Sequence, residues 1–315
     1  MIKELEYKFE LGKEKLSYRR IDSTHILDIY VGYNVNKQMS MIITEVGETK
    51  DIQSSKCIDV KIYEKFPNKV SISFNLMDNS MSKLFLQFCN DIIESSRDID
   101  KTKAINFIIR RWERWITMFK KPYTDLLNES QVLGLLGELI YLKEYMIPKY
   151  GQSKAIDSWL GPDKSHKDFE IDDTWYEIKV IKPSSLTVKI SSVEQLDSNL
   201  NGTLVTVILD KSNKQVDSYI NINKYCEELE FTITNFDDKL KFIQKLTQCG
   251  YYKNEEYDKY IYKFINKKEY AVDNNFPKLS KENLSDGIVK ASYEISLDYI
   301  EKFLIKENNY GYSTI

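Results

Sequence analysis

The chain has 315 residues, enough for two modest domains or one large one with an extension, and its 42% apolar and 30% charged residues allow an ordinary folded core. No stretch approaches the roughly 18 consecutive apolar residues that a membrane helix needs, and the charged start, residues 1–6, has no apolar run behind it, so no signal peptide is expected. Cys57, Cys89, Cys226 and Cys249 form no CxxC pair, which argues against zinc and fits reduced thiols in a cytoplasm; a net charge of −3 confines any nucleic-acid contact to local patches.

The first part reads as strands, with apolar and polar residues alternating over 58–62 and 70–76. The period then switches: Met81, Leu84, Phe85, Phe88 and Ile92 fall at helical spacing. A second helix carries Ile105, Ile108, Ile109, Trp112, Trp115, Ile116 and Phe119 on one face and ends at Lys121-Pro122. Its Arg110, Arg111, Arg114, Lys120 and Lys121 could track a DNA backbone, but such a helix more often buries its tryptophans and leaves its arginines in water. A third helix is predicted from about 129 to 146, capped by Asn128 with Gln131 and stopped by Pro148, with Val132, Leu135, Leu136, Leu139 and Ile140 as its buried stripe.

Short β segments follow at 169–171, 175–180 and 187–190, then a short helix from Ser192 and an apolar strand at 204–209. Beyond lie a helix at 239–246, a tyrosine-rich run (Tyr251, Tyr252, Tyr257, Tyr260, Tyr262) read as packing, a strand near 288–295 and a helix near 297–304. The order describes an α/β layer structure. The expected division is a β-rich N-terminal domain ending in a helix (1–100), a core with its leading helices (101–215) and an α/β accessory region (216–315).

The chemistry gathers around residues 166–180. Two alternating runs flank Asp172-Asp173, which reads as a two-residue hairpin loop. Ile171 then pairs with Thr174, Phe169 with Tyr176, and Asp168 stands across from Glu177. Strand side chains alternate, so Glu177 and Lys179 share the polar face while Tyr176, Ile178 and Val180 turn to the core. Opposed carboxylates repel unless a hard cation sits between them, and Mg²⁺ commonly binds through one or two carboxylates. A lysine on the same face can orient water and offset charge building on a phosphate. The plain alternative is an acidic-x-basic strand on a solvated sheet face.

Asp168 followed by Glu177-Ile178-Lys179 on the next strand resembles the PD-(D/E)XK, restriction-endonuclease-like superfamily. A wider set is similar to a bacterial family of PD-(D/E)XK motif proteins: residues 134–139 (GLLGEL), 159–162 (WLGP), 166–169 (HKDF), 177–179 (EIK) and 191–196 (SSVEQL). The resemblance covers most of the chain. It implies a central mixed sheet flanked by helices, Asp168 and Glu177 as ligands of Mg²⁺ (Mn²⁺ able to substitute), Lys179 as catalytic lysine, DNA as substrate, and membership of restriction or antiphage gene clusters, with other defence-system subunits as partners. Lys167 stands where the motif's name has proline.

Glu138, on the helix before the hairpin, resembles a glutamate that assists metal binding in the superfamily, with neighbouring glycines allowing close packing; its alternative is a solvated helix glutamate. Gln195 resembles a glutamine that supports the lysine or a phosphate, although Ser192-x-x-Gln195 fits a capping box equally. The amides after Ser192 could face phosphate, and His166, on the Asp168 side of its strand, is a secondary phosphate contact or base. Cleavage of both strands favours a homodimer. The rival function is a nuclease-fold subunit that binds nucleic acid or a partner without cutting.

Overall fold

The computed structural model describes residues 2–47, 51–66, 69–119, 126–163, 165–212 and 219–308. They form two compact units, Met1–Asp125 and Leu126–Ile315. Among the described residues no helix is long and apolar enough to cross a membrane.

The first unit opens with α1 (Ile2–Lys13) and a five-stranded antiparallel sheet: β1 (Tyr18–Arg20), β2 (Asp28–Tyr33), β3 (Met39–Val46), β4 (Ile58–Phe66) and β5 (Lys69–Leu76), in the order β1-β2-β3-β5-β4. Alternation along these strands turns Ile29, Val31, Ile43, Ile72 and Phe74 to one buried face. On it lie α2 (Ser82–Ser95) and α3 (Ala104–Trp115), with Phe74 edge-on to Phe88 and tilted against Trp112. A 3-10 turn, Ile116–Phe119, continues α3; the predicted stop at Lys121-Pro122 and the basic residues Lys120 and Lys121 lie outside the described residues.

The expected burial of the tryptophans holds, but Arg111 is not left in water. It is 7% exposed and its guanidinium grips Asp91 through two bonds of 2.8 and 2.6 Å, and Trp115 Nε1 donates to the same carboxylate. Arg110 and Arg114 are exposed. The tryptophan-bearing helix therefore belongs to the first unit rather than leading into the second.

The second unit begins with α4 (Glu129–Tyr141), where Asn128 and Gln131 form the predicted reciprocal cap. The helix does not stop at Pro148. A π turn, Leu142–Met146, reseats the backbone, and a short α5 (Ile147–Tyr150) continues from it with Pro148 near its start. After α6 (Gln152–Ser158) come β6 (Phe169–Ile171), β7 (Thr174–Ile181), β8 (Thr187–Ile190) and β9 (Gly202–Ser212). Then follow α7 (Ile222–Thr232), α8 (Phe236–Gln248), β10 (Ile261–Val272), β11 (Tyr293–Ser296), α9 (Leu297–Ile300) and β12 (Leu304–Asn308).

The main sheet runs β12-β10-β9-β7-β6, with β7 and β9 parallel and its other pairs antiparallel; β8 and β11 form a small second sheet. This is a mixed sheet flanked by helices, as the resemblance implied. Residues after 216 are not a separate accessory region, because β10 and β12 are two of the five strands. The helix expected near 297–304 is only the short α9 and a 3-10 turn before β12. Tyr251, Tyr257 and Tyr262 are buried in the unit's core, not displayed for base stacking.

One sheet face, with Tyr176, Ile178, Val205 and Val207, packs under Leu135, Leu136 and Leu139 of α4. A Cβ at Gly137 would lie 2.4 Å from Val180 Cγ2, so glycine there lets the helix sit down on β7; a Cβ at Gly134 would meet open space, and that glycine has no such role. The opposite face carries Trp175, Leu204 and Tyr270, covered by Val188, Ile190 and Ile295 of the small sheet.

Candidate active site

The hairpin register is the one the sequence dictates: Phe169 pairs with Tyr176, Glu170 with Trp175 and Ile171 with Thr174 across the loop Asp172-Asp173. Asp172 takes φ +52°, a left-handed conformation that aspartate tolerates better than most residues and that a primed two-residue turn needs. The ladder ends one residue short of Asp168. Its carbonyl turns instead to Leu160 N and Gly161 N (2.8 and 3.1 Å), while carboxylate Oδ2 accepts from Ile178 N at 2.7 Å. Asp168 is thus tied by its side chain to the backbone next to Glu177.

Glu177, in the middle of β7, is 1% exposed. Its Oε1 accepts from Lys179 Nζ at 2.7 Å, and its Oε2 is buried with no hydrogen-bond partner among the described residues. Glu138 reaches the same place from α4: its Oε2 accepts from Trp159 Nε1 at 2.7 Å. A Cβ at Gly161 would fall 2.4 Å from Glu138 Oε2 and 3.5 Å from Asp168 Oδ1, so both oxygens border one small space that only glycine leaves open.

The electrostatics record the crowding. Burial, followed by Asp168, pushes Glu177 up to about 8 against the pull of Lys179. Burial also raises the Glu138 carboxyl well above the usual range, with Asp168 and Glu177 adding to it and the Trp159 indole opposing. Asp168 is raised by burial despite Lys179 and the Ile178 amide. Three acids too close and too dry to be comfortably ionised together are what a cation would relieve.

Asp168 and Glu177 fit a hard divalent cation: both are oxygen donors, they repel each other, and one buried Glu177 oxygen lacks a hydrogen-bond partner among the described residues. Among the described residues no set of three His, Cys, Asp or Glu side chains is arranged to hold a metal, and Glu138 is engaged with the Trp159 indole. Two carboxylates, with Glu138 bordering them, are thus the donors that could hold such an ion. On the face that carries Lys179, beyond it along β7, lies a 250 Å³ cleft lined by Ile181, Lys182, Ser185, Thr206, Lys268 and Tyr270.

The remaining candidates separate. His166 is exposed and makes no hydrogen bond with the described residues. The predicted helix after Ser192 is a three-residue 3-10 turn, Val193–Gln195, too short to present a row of amides to phosphate. Ser192 gives it no side-chain cap bond, and Gln195 Oε1 accepts from Ser191 N at 2.7 Å, one residue earlier than a capping box requires. Gln195 thus braces its own loop.

Lys167, passed over in the sequence, proves structural. It is 8% exposed, donates to the carbonyls of Glu194, Gln195 and Asp197 (2.8, 2.8 and 3.2 Å), and lies 3.8 Å over the Trp175 ring. Burial lowers it to about 8. Trp159, part of the family resemblance but given no role in the sequence, is structural as well: besides holding Glu138, its carbonyl accepts from the largely buried Lys245. Neither contact had a local signal, since the partners lie far apart in the chain.

A family model described as "Putative PD-(D/E)XK family member, (DUF4420)" matches residues 3–298. No curated protein and no solved structure matches the chain.

Proposed function

The chain belongs to this PD-(D/E)XK family, across nearly its whole length, and from that premise we propose that it is a metal-dependent endonuclease hydrolysing DNA phosphodiester bonds, as part of a bacterial restriction or antiphage system. The observation that carries the reading is the buried Glu177 carboxylate, bonded to Lys179 through one oxygen and unpartnered at the other among the described residues, with Asp168 anchored beside it. A satisfied structural ion pair has no reason to leave that oxygen bare.

Asp168 and Glu177 would hold Mg²⁺, with Mn²⁺ able to take its place. The cation would supply Lewis acidity towards the scissile phosphate. Lys179, already turned to the carboxylates, would orient the attacking water and place positive charge where the transition state gathers negative charge. Trp159 and Gly161 fix Glu138 at the border of the site. The reading also makes the protein intracellular and, where it cuts duplexes, dimeric.

The direct experiment incubates the purified protein with plasmid, linear and single-stranded DNA, in Mg²⁺ and in chelator. Wild type is expected to cleave only with metal, and Asp168→Ala and Lys179→Ala to lose at least about 100-fold of that activity while staying folded. Equal cleavage by all three would refute the assignment. One observation favours the non-cutting rival, a nucleic-acid- or partner-binding subunit: Lys179 is spent on Glu177 rather than pointing free. DNA binding with no cleavage in either metal would select it.

A further inference from the structure

On the sheet face away from Lys179, a second charged cluster surrounds one aromatic ring. Lys149, Lys267 and Lys306 place their ammonium groups 5.0, 4.9 and 5.1 Å from the ring centroid of Tyr145. Three like charges around a single ring call for counter-charge, and the described residues supply one carboxylate. Glu269 bonds Lys267 at 2.6 Å and pairs across the ladder with Lys306. Lys149 and Lys306 have no salt bridge among the described residues; Lys149 donates instead to the hydroxyls of Tyr145 and Tyr176 (2.9 and 3.4 Å).

The cluster is graded from surface to interior. Lys149 and Lys306 are exposed, Tyr145 and Tyr150 half-buried, and Lys267, Glu269 and Tyr141 buried. The Tyr141 hydroxyl, in a fully buried side chain, has no hydrogen-bond partner among the described residues, although Glu269 and the hydroxyls of Tyr145, Tyr176 and Tyr150 lie near enough to act on it. Tyr145 sits on the π turn Leu142–Met146, an irregularity that recurs at functional sites because it re-aims side chains.

We propose that Lys149, Lys306 and Lys267, gathered around Tyr145 with the tyrosine hydroxyls, form a binding site for a dianionic phosphate monoester. Three ammoniums and one carboxylate leave two positive charges, the complement of a phosphate monoester at neutral pH, and ammonium and phenol donors suit its oxygens. The group can come from a free phosphate or mononucleotide, or from the 5′ end of a nucleic acid. The site lies on the opposite face of β7 from Glu177, and binding there needs no metal.

The test uses the full chain in EDTA, so its result does not depend on the nuclease reading. Binding of inorganic phosphate and of a 5′-mononucleotide is measured by calorimetry. Binding of a 5′-phosphorylated DNA duplex and its 5′-hydroxyl counterpart is measured by fluorescence anisotropy. The wild type, Lys149→Gln/Lys306→Gln and a control with exposed Lys263→Gln are compared, each checked for an unchanged melting temperature. Loss of about tenfold or more in phosphate and mononucleotide affinity in the double variant, with duplex affinities unchanged, assigns a free ligand. A preference for the phosphorylated duplex that vanishes in the double variant, with the salt slope falling by about 2, assigns a nucleic-acid end. Failure of the wild type to bind any of these probes, or affinities unchanged by the double substitution, overturns the site.

Discussion

Two buried ion pairs, Asp91–Arg111 in the first unit and Glu177–Lys179 in the second, are finished differently. In the first unit the Asp91 carboxylate receives two bonds from Arg111 and one from the Trp115 indole, so the charge is enclosed and its oxygens are satisfied. In the second unit the Glu177 carboxylate receives Lys179 at one oxygen and, among the described residues, nothing at the other, with Asp168 close enough to oppose its ionisation. Burial alone does not distinguish a structural charge from a chemical one. Completion does: a saturated pair has no capacity left for a ligand, whereas an unfinished one is destabilising until something binds.

The contrast can be broken by substitution, and the largest effect is expected on the saturated pair. Asp91→Ala strands a buried guanidinium and an indole N–H, and should cost about 3–5 kcal/mol in urea unfolding. Glu177→Gln should leave the metal-free protein as stable as wild type or more so, since it removes an acid whose ionisation burial and Asp168 oppose; Asp168→Ala also gives up the Ile178 amide bond and should cost at most about 1 kcal/mol. If Glu177→Gln destabilised as much as Asp91→Ala, the two pairs would be equivalent and the distinction would fall.

Acidity sharpens the same difference. Glu177 has a folded-state value of about 8, above its ordinary 4.5, so the folded protein holds a proton that the unfolded chain has released across that interval. Its contribution is fully present below the ordinary value and is lost as pH rises through about 8. Metal-free wild type should therefore lose stability between pH 5 and 8 relative to Glu177→Gln, read from melting curves across that range. A parallel pH dependence in the two proteins would show that Glu177 ionises without penalty.

A smaller effect is expected beside the acids. Gly161→Ala places a methyl group 2.4 Å from Glu138 Oε2, which must move off the Trp159 indole. A cost of about 1–3 kcal/mol is expected, with a drop in metal-dependent cleavage. The control is Gly134→Ala, whose new methyl meets open space and, on a helix, should be neutral or slightly stabilising.

The sequence disclosed those parts of the site that are local. A two-residue Asp-Asp loop between alternating runs determines the register, and the register fixes which of Glu177, Ile178 and Lys179 face the acid side. The cap at Asn128 and the burial of Trp112 and Trp115 were legible for the same reason, being set by spacing within one element. Contacts between distant segments were not. Lys167 anchors carbonyls 27 to 30 residues onward, and Trp159 reaches Glu138 21 residues back; no periodicity encodes either. Pro148 misled because a π turn upstream absorbs the break, and Ser192 because its capping pattern is met by a three-residue turn. Likewise β10 and β12 complete the main sheet from sequence that reads as an appendage.

The central claim, that Asp168 and Glu177 together can take a cation, is tested most directly by titrating Mg²⁺ or Mn²⁺ against the melting temperature of wild type and of Asp168→Ala/Glu177→Gln. A site of two carboxylates should stabilise wild type as the metal is added, approaching about 2.7 kcal/mol at one hundred times the dissociation constant, and leave the double variant unmoved. An identical response in both proteins, or none in either, would contradict it.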